Sequence, residues 1–395
     1  MESFDEVLAA AAREVFPGAE LTFEDHLYLR VVEPDGRLLQ VMCSEPERNS
    51  RGMPFQERVR HTSDYLTLFK ENRATDSPRW DGLMPLVRPA VFTHQRVGGI
   101  ATLLHFPLGT HLVQVVGEDH PQITNLVHHR DLDRWEARPA DLLRAARANI
   151  KREGFFTDIM PIGATGQGAA FVVEPYGYQA SCLAFPDLFA GPIGAVANPL
   201  EGPSRPLVFA PSRNEAFIVP EADEAALEAA LAYAAEVYTD DPRSMLPAPL
   251  VHHDGALVPW RRPGHPLAER SWRQWRCFVR DQYHSQALYL TGDEEHACSL
   301  AEQGLRMIPV AGQGAGPTHA VLLPGLDGAL VPEVEYLDLH GERERLVVPW
   351  RAALEHMALL EDTAYCPTRW RLWHWPEDTW ERLRAARVDP GALEG

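Results

Sequence analysis

The sequence predicts an α+β fold in which mostly antiparallel sheets carry flanking helices, arranged as two or three sub-domains. Turn signals of the β-hairpin type recur along the chain, and strands do not alternate regularly with helices as they do in α/β proteins. The length of 395 residues also exceeds what a single hydrophobic core usually supports. We therefore expect an N-terminal α+β region over 1–90, a middle α+β domain over 91–260 and an Arg/Trp-rich C-terminal α+β domain over 261–395.

Hydrophobic periodicity and turn chemistry predict the order of the elements. A capping-box pattern at Ser3 and Glu6 precedes the first helix, and Asp254-Gly255 marks the turn of a later hairpin. The other expected helices cover residues 55–70, 139–153, 221–238 and 267–284, with a capped helix after Thr291. The expected strands cover residues 21–32, 37–43, 171–174, 207–210, 216–219, 249–253, 256–260, 287–290, 307–310, 320–323, 333–339 and 346–348, with two more between 101 and 116. The proline-containing residues 72–90 are expected to form a connector.

Composition and sequence pattern argue against nucleic acid and membranes as partners. The formal net charge of −19 argues against nucleic acid as a partner, because a polyanion is bound through a cationic surface. Five scattered cysteines without metal-ligand spacing are typical of reduced thiols in a reducing compartment. The acidic N-terminus lacks the pattern of a signal peptide, and no apolar run is long enough to span a bilayer. We therefore expect a cytoplasmic protein without membrane contact.

Several segments in the first 260 residues resemble one known family in their order and pattern. These segments are Leu108 to Val113, Asp133-Arg134-Trp135, the helix at 140–153, Tyr176 to Ser181, Pro211 to Asn214 and the hairpin that ends at Trp260. They resemble the YtpQ-like family of bacterial proteins of unknown function. The resemblance implies a cytoplasmic α+β protein and supplies no activity, cofactor or catalytic residue. Residues 261–395 lie outside the resemblance and look like an added domain.

Glycine-rich and histidine-containing segments do not form a recognisable catalytic motif. Residues 163–168 and 312–316 are glycine-rich, but no helix begins directly behind them as a phosphate loop requires. His128-His129 and His252-His253 are adjacent pairs, and neighbouring strand residues point to opposite faces. A zinc site with one histidine from each pair and Asp131 or Asp254 is left open as an alternative.

The segment from Trp260 to Arg280 is rich in tryptophan and arginine. On a helix, Trp272, Trp275 and Val279 are expected to share one side, and Arg273, Arg276 and Arg280 another. Such a helix could bind phosphate, single-stranded nucleic acid or an acidic protein. Alternatively, its tryptophans pack in the core and its arginines pair with the acidic remainder of the chain. The tryptophans at 370, 373, 375 and 380 are expected to form a small core or a binding surface.

The leading functional hypothesis is a non-enzymatic protein-binding or regulatory protein whose partner is another protein. The alternatives are a hydrolase with a histidine and acid site, with or without a metal, and nucleic-acid binding through the helix at 267–284. No catalytic residue, cofactor or metal site is assigned from the sequence. The candidate binding residues are Arg213, His252, His253, Arg273, Arg276 and Arg280.

Overall fold

Antiparallel strand pairs predominate in the described part of the chain and helices flank them, so the predicted α+β class is confirmed. The structure is a computed structural model that describes residues 3–24, 28–36, 38–71, 77–93, 103–109, 111–120, 123–162, 167–190, 204–241, 243–292, 294–312, 316–323, 326, 328–341, 344–375 and 378–393. The chain divides into two units, one of residues 1–84 and 116–149 and the other of residues 85–115 and 150–395. The boundaries near residues 90 and 260 stay a prediction.

The first unit begins with a three-stranded antiparallel meander that packs against helices. These elements are α1 (Phe4–Val15), β1 (Glu20–Glu24), β2 (Tyr28–Val32), β3 (Leu38–Met42), α2 (Ser44–Asn49) and α3 (Phe55–Glu71). The predicted capping box is present, because the Glu6 amide donates to Ser3 Oγ and the Ser3 amide donates to Glu6 Oε2. The single strand expected over 21–32 is instead two strands, with Glu24 opposite Tyr28.

The connector expected over 72–90 is wrong from residue 83 onward. The buried strand β4 (Leu83–Pro89) forms one edge of a sheet in the order β4-β6-β5, with β5 (His105–Pro107) and β6 (Leu112–Asp119). An edge strand tolerates Pro85 and Pro89, because it does not need every backbone N–H for pairing. The two short strands expected between 101 and 116 are confirmed as β5 and β6.

The rest of the first unit is helical apart from one short strand. It contains β7 (Thr124–Leu126), which pairs with β6, followed by α4 (His129–Trp135) and most of α5 (Pro139–Glu153). Helix α5 has the predicted bounds and buries Leu142 and Ala146. Its Asn149 amide donates to the carbonyls of Trp80 (2.7 Å) and Leu83 (2.9 Å), so this polar side chain is satisfied although it is buried.

A six-stranded antiparallel sheet organises the second unit, in the order β13-β12-β10-β11-β9-β8. Its strands are β8 (Phe156–Ile162), β9 (Gln167–Glu174), β10 (Pro206–Ser212), β11 (Glu215–Pro220), β12 (Ser244–His253) and β13 (Ala256–Pro259). The short helix α6 (Asp187–Ala190) precedes β10, and α7 (Glu224–Asp240) packs on a core in which Phe209 and Phe217 stack at 4.9 Å. The predicted β12–β13 hairpin is confirmed. Asp254 and Gly255 both have positive φ there, as a two-residue hairpin turn of the primed type requires.

Helix α8 (Ala268–Gly292) is longer than predicted. The strand expected over 287–290 is wrong, since the helix continues through it. Tyr283, Gln286 and Leu290 are buried at helical spacing, whereas Leu288 is 52% exposed. The apolar run over 287–290 therefore belongs to one turn of a helix and not to a buried strand.

The C-terminal part of the second unit contains a short helix and two small sheets. Helix α9 (Glu294–Glu302) follows α8, and the later helices are α10 (Trp350–His356) and α11 (Thr379–Ala385). One sheet has the order β14-β16-β20-β19 and is formed by β14 (Arg306–Met307), β16 (Ala329–Pro332), β19 (Leu359–Asp362) and β20 (Arg369–Leu372). The other has the order β15-β17-β18 and is formed by β15 (His319–Leu322), β17 (Tyr336–His340) and β18 (Arg345–Pro349). Trp370, Trp375 and Trp380 pack half-buried against the core, whereas Trp373 is 41% exposed.

Among the described residues, no helix combines the length and the apolar character that a membrane crossing requires.

We expect Phe217→Ala to lower the free energy of unfolding by about 3 to 5 kcal/mol, because it leaves a cavity beside Phe209. Denaturant titration followed by circular dichroism measures this change. Phe156→Ala is the matched control in the same sheet. Its side chain is 61% exposed, so we expect a change below about 0.5 kcal/mol. Equal effects of the two substitutions would contradict the description of this core.

Candidate functional site

A pocket of about 400 Å³ lies within the second unit. Four parts of the chain line it: residues 108, 109, 111 and 112; the paired strands β12 and β13; helix α8; and Thr318 together with residues 333–335. Most of the lining side chains are aliphatic or aromatic, as is usual for pockets that take small molecules.

Helix α8 supplies the aromatic wall of the pocket. Trp272, Trp275, Arg276 and Val279 all line it, because the spacing i, i+3, i+4, i+7 places four residues on one helix face. The indole rings of Trp272 and Trp275 are near-parallel, with centroids 6.4 Å apart. The separation of tryptophans and arginines onto different sides is therefore wrong for Arg276, which lies on the tryptophan face.

Glu335 ties this wall to the opposite segment of the pocket. Its carboxylate accepts hydrogen bonds from Trp272 Nε1 (2.8 Å), from Arg276 Nε (2.8 Å) and Nη2 (3.1 Å), and from the Thr318 amide (3.0 Å). The remaining guanidinium nitrogen, Arg276 Nη1, donates to Glu269 at 3.0 Å. Burial opposes ionisation of Glu335, but hydrogen bonds from Arg276 and Trp272 outweigh it. The pKa of Glu335 therefore lies below its ordinary value.

His111 contributes an uncharged polar ring to the pocket. It is 7% exposed and makes edge-to-face contacts with Trp275, Phe278 and Tyr283 at centroid distances of 5.6, 6.1 and 5.6 Å. Burial lowers the pKa of His111 to about 3, so the ring is neutral near pH 7. Its Nδ1 atom is buried and has no hydrogen-bond partner among the described residues.

The three predicted arginines of α8 lie in three different environments. Arg273 is exposed and donates to Glu269 at 3.3 Å, one helical turn away. Arg276 is buried in the ion pair with Glu335. Arg280 is half-buried and donates from Nη2 to the Gly316 carbonyl at 3.2 Å. These arginines consequently do not form one exposed cationic row.

The other predicted binding residues lie outside the lining of the pocket. Arg213 occupies the turn between β10 and β11 and donates from Nε to Asn214 Oδ1 at 3.0 Å. His252 and His253 are neighbours on β12, and only His252 has a nitrogen, Nε2, that is buried without a partner. His253 Nε2 lies 3.4 Å from the exposed carboxylate of Asp254. The described residues contain no group of three histidines, cysteines or acids placed to hold a metal.

A second, more polar pocket of about 320 Å³ lies near Glu221. The Glu221 carboxylate accepts hydrogen bonds from Arg205 Nε (2.8 Å), Arg205 Nη2 (2.7 Å) and the buried Trp260 Nε1 (2.7 Å). Arg262, which lines the pocket, lies 3.7 Å from the same carboxylate. The negative charge of Glu221 is therefore compensated by Arg205 and Arg262 of the same chain.

The described glycines of the two glycine-rich segments do not line either pocket. Residues 163–166 and 313–315 lie outside the described residues. Gly168 belongs to β9, and Gly312 has a φ of 115°, in the range that favours glycine.

No family model, curated protein or solved structure matches this chain. The resemblance to the YtpQ-like family therefore stays a prediction, and the function has to be argued from the pocket itself.

We expect Glu335→Gln to lower the free energy of unfolding at pH 7 by about 3 kcal/mol, because Arg276 loses its charged partner in a site where the two side chains are 10% and 19% exposed. The folded pKa of Glu335 is below the unfolded value of about 4.3. The stabilisation is thus complete above that value and is lost as the pH falls through the folded pKa. Unfolding titrations from pH 7 to pH 3 should show wild type and variant converging. Glu355→Gln, in an exposed i,i+4 pair, is the control and should cost less than about 1 kcal/mol.

His111 predicts a second source of acid sensitivity, with the same sign as that of Glu335 but beginning at a higher pH. An unfolded histidine takes up a proton below about pH 6.5, whereas folded His111 does so only near pH 3. The unfolded state therefore binds more protons between these values, and stability falls with falling pH by up to about 1.4 kcal/mol per pH unit. His111→Phe, which keeps an aromatic ring, should lose less stability than wild type between pH 6.5 and 4.5. His253→Phe, at a side chain that is 70% exposed, should follow wild type. Identical pH profiles for all three proteins would mean that His111 titrates normally.

Proposed function

We propose that this protein is a non-enzymatic binding protein and that its ligand is a small molecule held in the pocket between α8 and β13. The observation that carries the proposal is the combination of an apolar wall, with two near-parallel tryptophans, and a charged pair, Glu335 and Arg276, whose members already bind each other. The volume of about 400 Å³ lies in the range of roughly 300–1,000 Å³ that is common for ligand pockets.

The chemistry of the lining supports binding over catalysis. A general base near neutral pH needs a pKa close to 7, and His111 has a pKa of about 3. The carboxylate of Glu335 is occupied by hydrogen bonds from three residues. The hydroxyl of Thr318 accepts the Glu335 amide at 3.1 Å and donates only a long hydrogen bond, 3.4 Å, to the Glu335 carboxylate. The pKa of that carboxylate lies below its ordinary value, so it is a weak base for activating the hydroxyl.

Two of the hypotheses from the sequence have less support than a small ligand. The hydrolase hypothesis depends on the histidine pairs and nearby acids, but the described residues contain no group of three histidines, cysteines or acids placed to hold a metal. The nucleic-acid hypothesis relied on arginines of α8, of which Arg276 and Arg280 have internal partners. A protein partner and a regulatory role stay predictions, and ligand binding is compatible with both.

The test uses N-phenyl-1-naphthylamine, an uncharged dye whose emission rises in apolar surroundings. We expect saturable binding to the full chain, with energy transfer from tryptophan to the dye because Trp272 and Trp275 line the pocket. Leu257→Trp adds bulk to a half-buried lining residue and should weaken binding at least about tenfold, as expected where a side chain fills the space of a ligand.

Leu288→Trp is the matched control, because Leu288 is 52% exposed and does not line the pocket. It adds the same side chain and should leave the dye affinity unchanged. Circular dichroism and thermal unfolding of both variants confirm that they fold. Failure of the wild-type chain to bind the dye, or equal loss in the two variants, would refute the proposal.

A further inference from the structure

We infer that the pocket selects an uncharged aromatic molecule, and that Glu335 determines this selectivity by neutralising Arg276 in the pocket wall. The inference rests on the proposed function and adds the class of the ligand.

The guanidinium of Arg276 is the only cationic group among the described residues that line the pocket. The ring of His111 also lines it but is neutral near pH 7. All three of its nitrogens donate, Nε and Nη2 to Glu335 and Nη1 to Glu269. A carboxylate or phosphate ligand would have to displace one of these acceptors. It would also lose its own hydration, and an anion buried without new partners is strongly disfavoured.

The same ion pair disfavours a cationic ligand at Glu335. Trp272, Arg276 and Thr318 direct four N–H groups at this carboxylate, so a ligand ammonium would compete with donors that are already in place. Glu333 also lines the pocket and makes the cation the stronger of the two charged rivals. A cationic probe is consequently the more demanding comparison for the inference.

What the pocket still offers a ligand is apolar surface and aromatic rings. Trp272 and Trp275 present near-parallel indoles, and residues such as Leu250, Leu257 and Val279 complete the wall. Planar rings pack well in such surroundings, since aromatic pairs prefer offset-stacked or edge-to-face contacts. Desolvation of an uncharged ring is therefore the main source of affinity.

The experiment compares three isosteric probes in competition with N-phenyl-1-naphthylamine on the full chain at pH 7. The probes are 2-naphthalenemethanol, which is uncharged, 2-naphthoate, which is an anion, and 2-naphthylmethylammonium, which is a cation. We expect the uncharged probe to bind at least about tenfold more tightly than either ion, equivalent to roughly 1.4 kcal/mol. Equal or tighter binding of either ion would overturn the inference while the proposed function stands. If the dye itself does not bind, the proposed function fails instead.

A second measurement tests the role assigned to Glu335. In Glu335→Gln the charge of Arg276 loses its more buried carboxylate partner, while Glu269, which still pairs with it, is 57% exposed. The ratio of 2-naphthoate affinity to 2-naphthalenemethanol affinity should therefore rise at least about fivefold. Glu355→Gln removes an exposed carboxylate outside the pocket and should leave the ratio unchanged. A folded Glu335→Gln protein with the wild-type ratio would show that Glu335 does not set the selectivity.

Discussion

The carboxylate of Glu335 is the constraint on which the pocket depends. It holds the indole of Trp272 and the guanidinium of Arg276 on one side and the backbone of Thr318 on the other. Both side chains from α8 line the pocket. Glu335 therefore influences both the shape of the pocket and the charge of its lining. Truncation at Glu335 would leave a desolvated cation beside two tryptophans, and such a cation is more costly than the loss of a surface ion pair.

A second buried arginine in the same unit shows a different solution to the same problem. Arg369 is fully buried and donates to Gln286 Oε1 and to the carbonyls of Ile308 and Leu330, with its guanidinium 5.2 Å from the ring of Tyr283. Burial lowers its pKa to about 10, which still leaves it charged near pH 7. Neutral oxygens and an aromatic face stabilise this cation without a carboxylate. Both buried arginines are thus bound by groups of the fold, as an interior charge requires.

Local patterns in the sequence predict single elements, but they do not predict which residues come together in the pocket. The turn at Asp254-Gly255 and the helix over 139–153 follow from turn chemistry and periodicity, which act within one element. His111 and Glu335 carry no local signal, because they become important only where distant segments meet. Glu335 is 63 residues from Trp272 in the sequence, and His111 contacts Trp275 on the same helix. The position of Arg276 on the tryptophan face is predictable from the sequence, since its spacing from Trp272 and Val279 is that of one helix face. The prediction of a strand over 287–290 was wrong because a short apolar run fits a helix and a strand equally well.

The pairing of Glu335 with Arg276 supports the proposed binding role of this pocket over a catalytic one. A catalytic group has to remain available, with a pKa shifted toward its task and a lone pair or proton directed at the substrate. The lining here holds the opposite arrangement, in which Glu335 and Arg276 satisfy each other and His111 stays neutral. Each square ångström of apolar surface that a ligand covers yields roughly 25 cal/mol. Under the proposed function, a charged competitor would have to break the hydrogen bonds between Glu335 and Arg276. The proposal thus assigns affinity to the apolar wall and discrimination to the ion pair behind it.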